Sequence, residues 1–298
     1  MKVVRVALLG LGEVGSILAH DLTAGGGVEL SAFDTKFRDS TSRPSDTLRS
    51  GTRVRGAASA QDAVATAHVV ISAVTAAENL AAARDASPGL KVASWFFDLN
   101  SVAPETRRQV ARVIEASGGR YVEGAVMSPV PPRRIASPIL LGGPHAEEFA
   151  PVAQALGFTG ARFFSAETGR ASAAKMCRSV IVKGVEALLA ESLVAARHYG
   201  VEGDVLASLS DLFPDPDWSG KACYMISRSL QHGGRRAEEM EEVAKTVREA
   251  GLEPHMSEAT ARRQKWAAQY SRVPDKDLLA MLDGIRAGLP GIGGSGKC

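Results

Sequence analysis

The residue best suited to move a proton is Lys175, in the run Gly169-Arg170-Ala171-Ser172-Ala173-Ala174-Lys175-Met176-Cys177-Arg178-Ser179. Read as a helix, this run and its continuation bring Ser172, Lys175, Ser179, Lys183 and Glu186 within about 80° of one face, while the other positions are mostly apolar. Lys183 and Glu186 need be no more than an exposed pair three residues apart, worth about a few tenths of a kcal/mol. Lys175 stands nearest the helix start, where two domains are expected to meet. An amine there can take the proton of an alcohol whose carbon is being oxidised. To do so near neutral pH it must lose part of its preference for charge, which burial or a neighbouring cation such as Arg178 would bring about.

A second chemistry is written at the start of the chain. The apolar run Val3–Leu9 leads into Gly10-Leu11-Gly12-Glu13-Val14-Gly15, then a helix-like stretch, then the apolar run Val28–Phe33 closed by Asp34. Strand, glycine turn, helix, strand and acid, with the acid about 20 residues on, form the dinucleotide-binding fingerprint in its required context. Gly10 permits the tight turn, Gly12 admits a pyrophosphate to the backbone, and Gly15 lets helix and strand pack closely. Asp34 suits the ribose 2′-hydroxyl of NAD. Lys36 and Arg38 close behind it leave the 2′-phosphate of NADP open as the alternative.

Positioning these groups requires the alternation of elements that the first half displays. Short β-rich runs at Val3–Leu9, Val28–Phe33, His68–Val74, Val92–Leu99, Arg120–Val126, Ile139–Gly142 and Ala161–Phe164 are separated by helical patterns. The polar stretch from Thr35 to Gly56 leads to a further short strand. Such alternation builds a mainly parallel, doubly wound sheet, whose ligands lie beyond the carboxyl ends of the strands. Ser72, Val74, Asn100, Ser101, Ser128 and Pro129 follow strands in this way. Ser72, Val74 and Asn100 are candidates for the cofactor, and Ser101, Ser128 and Pro129 for the substrate. Asn100-Ser101 ahead of Pro104 also reads as a helix N-cap, and the proline-rich loop 128–132 also reads as a stiff connection.

Beyond about residue 168 strands give way to helices: a long one over Ala171–Tyr199, then Arg235–Ala250 and Glu258–Tyr270 among others. The sequence therefore divides into residues 1–168 and 169–298. A long apolar helix must be covered by other helices or by a second copy, so a homodimer is expected. His232-Gly233-Gly234-Arg235-Arg236 reads either as a plain helix start or as a source of anion contacts. The glycine-rich tail from Leu289 is expected to pack little.

Composition sets the limits. Apolar residues make up 45% and charged residues 23% of 298, an ordinary globular balance with room for two cores. A net charge of +2 gives no surplus for gripping nucleic acid, and the doublets Arg107-Arg108, Arg133-Arg134, Arg235-Arg236 and Arg262-Arg263 read as solvated faces. Three scattered cysteines suggest neither a disulfide framework nor a metal site, and fit a cytoplasmic setting. The opening strand lacks a leader pattern, and no stretch is long and apolar enough to span a membrane.

The glycine turn, Asp98-x-Asn100-Ser101 with Pro104, the strand Tyr121–Val126 with its loop, and Gly169 through Lys175 to Ser179 together resemble the β-hydroxyacid dehydrogenase superfamily. That superfamily includes 3-hydroxyisobutyrate and 6-phosphogluconate dehydrogenases. The resemblance covers nearly the whole chain in order. It implies an α/β fold: a Rossmann-type doubly wound sheet followed by an all-helical 6-phosphogluconate dehydrogenase-like domain that often dimerises. It also implies an oxidoreductase using NAD or NADP on a small 3-hydroxy acid, with Lys175 as the catalytic lysine and Met127-Ser128-Pro129 in place of a substrate-binding Ser-Gly-Gly loop. Ser179 stands where the family has asparagine, Val182 where the sugar-phosphate enzymes have an acid, and Glu238-Glu239-Met240 where Lys-Asp-Leu is common. His232 joins Ser179 as a candidate substrate contact. The alternatives are an imine reductase, against which Lys175 argues, and a non-catalytic nucleotide-binding protein.

Overall fold

The computed structural model describes residues 3–50, 53–214 and 217–289; the tail expected to pack little lies mostly outside them. Among the described residues there are eight strands: β1 (Val4–Leu9), β2 (Val28–Phe33), β3 (Val54–Gly56), β4 (Val69–Ser72), β5 (Trp95–Asp98), β6 (Arg120–Val126), β7 (Ile139–Gly142) and β8 (Ala161–Ser165). They form one sheet in the order β3-β2-β1-β4-β5-β6-β7-β8. Among these strands only β6 and β7 pair antiparallel. The order reverses between β1 and β4, where doubly wound sheets bind their ligands.

The strands are apolar on both faces because helices cover both. Along β1, Val6 and Leu8 enter one core with Phe97 and Phe149, and Ala7 and Leu9 enter the other with Phe96 and Tyr121. The covering helices are α1 (Glu13–Ala24), α2 (Arg43–Arg49), α3 (Ala60–Val64), α4 (Asn79–Ala86), α5 (Pro104–Ala116) and α6 (Ala146–Ala155). Proline at the first position of α5 suits a helix start, where no intrahelical donor is lost.

The remainder is helical: α7 (Arg170–Tyr199), α8 (Glu202–Leu212), α9 (Trp218–Glu249), α10 (His255–Ala267) and α11 (Leu278–Ala287). Leu193, Ile226, Met281 and Leu282 centre its core. Here α9 departs from expectation, since the helix read from Arg235 begins at Trp218 and runs straight through Gly233-Gly234. Packing outweighs the low helix propensity of glycine. A β-carbon on Gly233 would lie 2.3 Å from the Gln264 carbonyl oxygen, so glycine is what allows α10 to approach.

The chain forms two compact units, Met1–Met176 and Cys177–Cys298. The first turn of α7 is bonded into the sheet unit. Among the described residues no helix is long and apolar enough to cross a membrane.

Candidate active site

The glycine turn between β1 and α1 is built as the fingerprint requires. Gly10 has φ 90°, a left-handed conformation, and a β-carbon there would sit 2.5 Å from the Ala73 carbonyl oxygen. At Gly15 it would sit 2.1 Å from the Gly10 carbonyl oxygen. Around Gly12 a β-carbon would meet nothing within 4 Å, and α1 begins without any side-chain cap. The first N–H groups of α1 and its positive dipole end are therefore open to a phosphate. Glu13 opens α1, Val14 packs on the sheet core, and Val74 adjoins Gly10.

Asp34 is fastened to this turn. Its carboxylate accepts from the Leu11 N–H at 2.8 Å through Oδ2 and from the Lys36 N–H at 2.9 Å through Oδ1. Two acceptor positions remain for ribose hydroxyls. Open turn, uncapped helix and anchored acid fit a dinucleotide. Lys36 and Arg38 are both exposed on the short 3₁₀ turn that follows.

At the carboxyl end of β5 a buried polar network takes over. Asp98 and Arg107, both fully buried, pair at 2.8 Å. Arg107 also donates to the carbonyls of Asp98, Asn100 and Gly124. Tyr121 donates to Asp98 at 3.0 Å, and Asn79 also reaches that carboxylate. Burial opposes the Arg107 charge, but Asp98, Tyr121 and Glu123 together outweigh it and hold the guanidinium above its ordinary pKa; burial and Asp98 together push the Tyr121 phenol well up.

Two candidates change character here. Ser72, expected to touch the cofactor, is completely buried and accepts from Asn100 Nδ2 at 2.9 Å, so it supports the loop from beneath. Asn100, 3% exposed, also donates to Asn79, and its Oδ1 is buried without a partner. Ser101 does not cap α5, whose N-cap position is Ala103 and which has no side-chain cap. Instead Lys175 Nζ donates to Ser101 Oγ at 2.6 Å.

The start of α7 is held by the sheet. Glu123, fully buried in mid-strand on β6, accepts from the N–H groups of Gly169 and Ser172. The Ser172 hydroxyl donates to the Val102 carbonyl. A carboxylate at a helix N-terminus is favourable. Burial nevertheless raises the Glu123 pKa, opposed by Arg107 and by those two N–H groups. Lys175 thus rides on a helix anchored to both β6 and the loop that carries Ser101.

The loop after β6 holds Ser128, half-buried with its hydroxyl on the Pro129 carbonyl, and an exposed Pro129. It is tied to α1 by Arg134, which grips Asp21 with contacts down to 2.6 Å. Burial works against the Asp21 charge, but the bonds from Arg134 and its neighbours prevail and hold that carboxyl below its usual range.

In the helical unit the polar stripe of α7 is not the exposed face expected of Lys183 and Glu186. Lys183 is 8% and Glu186 3% exposed. They pair with α9 rather than with each other, Lys183 with Glu239 and Glu186 with Arg236. Ser179, one turn beyond Lys175, is buried, and Arg178 is exposed, so no inward cation comes from it. His232 lies within α9, its Nε2 2.8 Å from Arg228 Nη1. Arg235 is exposed and bonds Glu239, and Glu238 is exposed. The doublets, read as solvated faces, each contain an engaged member: Arg107, Arg134, Arg236 and Arg263, the last paired with Glu191.

Reading the sequence gave no role to Glu123 or Arg228, quoted Asp98 only as part of a motif, and took Arg107 for a solvated charge. The signal for a buried role of both acids was their place in apolar strand runs, where an acid needs a partner.

An open glycine turn with its acid, on a sheet ordered 3-2-1-4-5-6 through its first six strands, defines a dinucleotide-dependent oxidoreductase fold. Residues 5–169 match the family model described as the NAD binding domain of 6-phosphogluconate dehydrogenase, and residues 196–267 match a domain of unknown function, DUF1932. The chain belongs to the β-hydroxyacid dehydrogenase superfamily, with an NAD-binding domain of the 6-phosphogluconate dehydrogenase type. It is 28% identical over 220 residues to a 3-hydroxyisobutyrate dehydrogenase of Pseudomonas aeruginosa, covering 72% of this chain and 71% of the relative. A conserved hypothetical protein from Sinorhizobium meliloti 1021 is 35% identical, with coverage of 96% and 97% and a TM-score of 0.72. The 3-hydroxyisobutyrate dehydrogenase of Mycobacterium tuberculosis, solved with L-serine, shares the fold at 20% identity and a TM-score of 0.71, with coverage of 95% and 99%.

Proposed function

We propose that the protein oxidises a small polar 3-hydroxy acid, a sugar-derived acid included, with Lys175 as its acid–base residue and NAD preferred over NADP. The observation that carries the reading is the Lys175–Ser101 bond of 2.6 Å, made at the carboxyl end of the sheet on a helix that the sheet anchors. NAD, bound at the glycine turn, supplies the two-electron acceptor. Lys175 Nζ accepts the hydroxyl proton during oxidation and returns it in the reverse direction. Ser101 orients that amine, and Ser128, Pro129, Ser179 and His232 are the remaining substrate contacts of the proposal. Asp34 recognises the ribose, and its negative charge disfavours a 2′-phosphate.

The test is direct. The purified chain should reduce NAD with 3-hydroxyisobutyrate or another small 3-hydroxy acid, and reduce NADP more slowly. Turnover confined to cyclic imines with a reduced cofactor would replace this reading with imine reduction. Cofactor binding without turnover across a broad panel of hydroxy acids would reduce it to a nucleotide-binding protein.

We further propose that the protein acts as a homodimer. Supporting this, Ile181 and Leu188 of α7 are 70% and 58% exposed in the single chain and lie two turns apart on one helix face. Carboxylates placed in such a contact would be buried unpaired. The double variant Ile181→Glu, Leu188→Glu should weaken self-association by about 100-fold or more in sedimentation equilibrium. An unchanged dimer would remove α7 from the interface.

A further inference from the structure

Proton transfer by Lys175 needs two segments held in register, the loop that carries Ser101 and the first turns of α7, and both lie in the unit Met1–Met176. One buried set of charges holds the two. Arg107 donates to the Asn100 carbonyl, next to Ser101, and to the Gly124 carbonyl, next to Glu123. Glu123 takes the Gly169 and Ser172 N–H groups, and Lys175 follows Ser172 by three residues on the same helix. Room is kept for this carboxylate. Gly142 lies across from Glu123 on β7, and a β-carbon there would come 3.1 Å from the carboxyl group and 3.4 Å from the Ala171 β-carbon. Gly169, at φ 99°, makes the left-handed turn into α7 that residues with a side chain rarely adopt.

An acid in mid-strand is costly to bury, and the groups around Glu123 decide what its charge does there. Arg107 faces it from α5, Asp98 from β5 and Tyr121 from its own strand, while α7 offers its first N–H groups. Ionised, the carboxylate presents one acceptor oxygen to each N–H. Protonated, one of those oxygens becomes a donor facing an N–H, and one of the two bonds is lost. Burial outweighs Arg107 and the N–H groups and raises the Glu123 pKa, so this loss sets in as pH falls, above the ordinary carboxylate range.

We propose that ionised Glu123 is a positioning residue of the reaction: acting through α7, it sets where the Lys175 amine stands against Ser101. This rests on Lys175 as the acid–base residue, and two measurements on the full chain keep the claims apart. The first is turnover in the reductive direction, where Lys175 must be protonated and so gives no acid limb of its own. The parent kcat should fall on the acid side as Glu123 takes up a proton. Glu123→Gln should remove that limb and lower kcat at neutral pH by about 10- to 100-fold, the scale for a misplaced catalytic group, with the NAD dissociation constant within about twofold of the parent. Glu123→Asp, which keeps the charge on a shorter arm, should fall between. The second needs neither turnover nor a variant: NMR of the free chain labelled with ¹⁵N-glycine and ¹³C-lysine. The Gly169 amide and the Lys175 side-chain carbon should shift together on the acid side with one midpoint, and Glu123→Gln should abolish both steps. A chain without turnover would strike the dehydrogenase reading and leave the NMR result to decide the placement. The proposal is overturned if the Lys175 signal does not follow the Gly169 amide, if the acid limb persists in Glu123→Gln, or if that variant keeps kcat within about twofold of the parent.

Discussion

Replacing Lys175 with alanine should lower kcat by about 10²- to 10⁴-fold, the usual contribution of a positioned acid–base group, while the dissociation constant for NAD stays within about twofold. The two effects separate because the groups reside on different elements. The glycine turn, Asp34 and Val74 come from β1, β2 and the loop after β4, whereas Lys175 extends from α7 and its amine bonds Ser101. Lys175→Arg should not restore activity, since a guanidinium does not give up its proton at working pH. Single-turnover measurements with saturating cofactor would read the chemical step alone. Near-parental turnover in Lys175→Ala would refute the assignment, and loss of NAD binding in parallel would mean that the variant had damaged the fold instead.

The second large effect is on stability. Arg107→Met should destabilise the protein by about 3–5 kcal/mol in chemical denaturation, the range for removing one partner of a buried ion pair. The change leaves the Asp98 carboxylate in the interior with only neutral donors from Tyr121, Asn79 and the Asn100 amide. It also strips donors from the carbonyls of Asp98, Asn100 and Gly124. Adding Asp98→Asn removes the stranded charge, so the double variant should recover a substantial part of the loss. A single variant within about 1 kcal/mol of the parent would show that the network is not what supports the β5 end.

Much of the sheet unit was legible because its signals are local. Three glycines, an acid at a set separation and apolar runs of strand length each concern a few neighbouring residues, and β2, β6 and β7 begin and end where the pattern places them. The partners of buried charges are not local. Glu123 meets backbone 46 residues further on, and Glu186 finds Arg236 50 residues away, so each looks like an ordinary charge until the chain is folded. Arg107 was hidden by its neighbour Arg108, because a basic doublet on a helix resembles a solvated face whichever member turns inward. Gly233-Gly234 misled for a related reason: a helix breaker in isolation is a helix contact when another backbone lies against it.

The two N–H groups taken up by Glu123 bear on anyone building chimaeras from this family. A graft that swaps helical units at residue 168 would pair one parent's β6 with another parent's helix start, and the join would work only where the resident sheet carries an acid placed to receive those N–H groups. Cutting after Met176 keeps the carboxylate, the helix origin and the lysine on a single inherited piece, so the seam for recombination lies inside a helix rather than at the loop where a sequence alignment would put it.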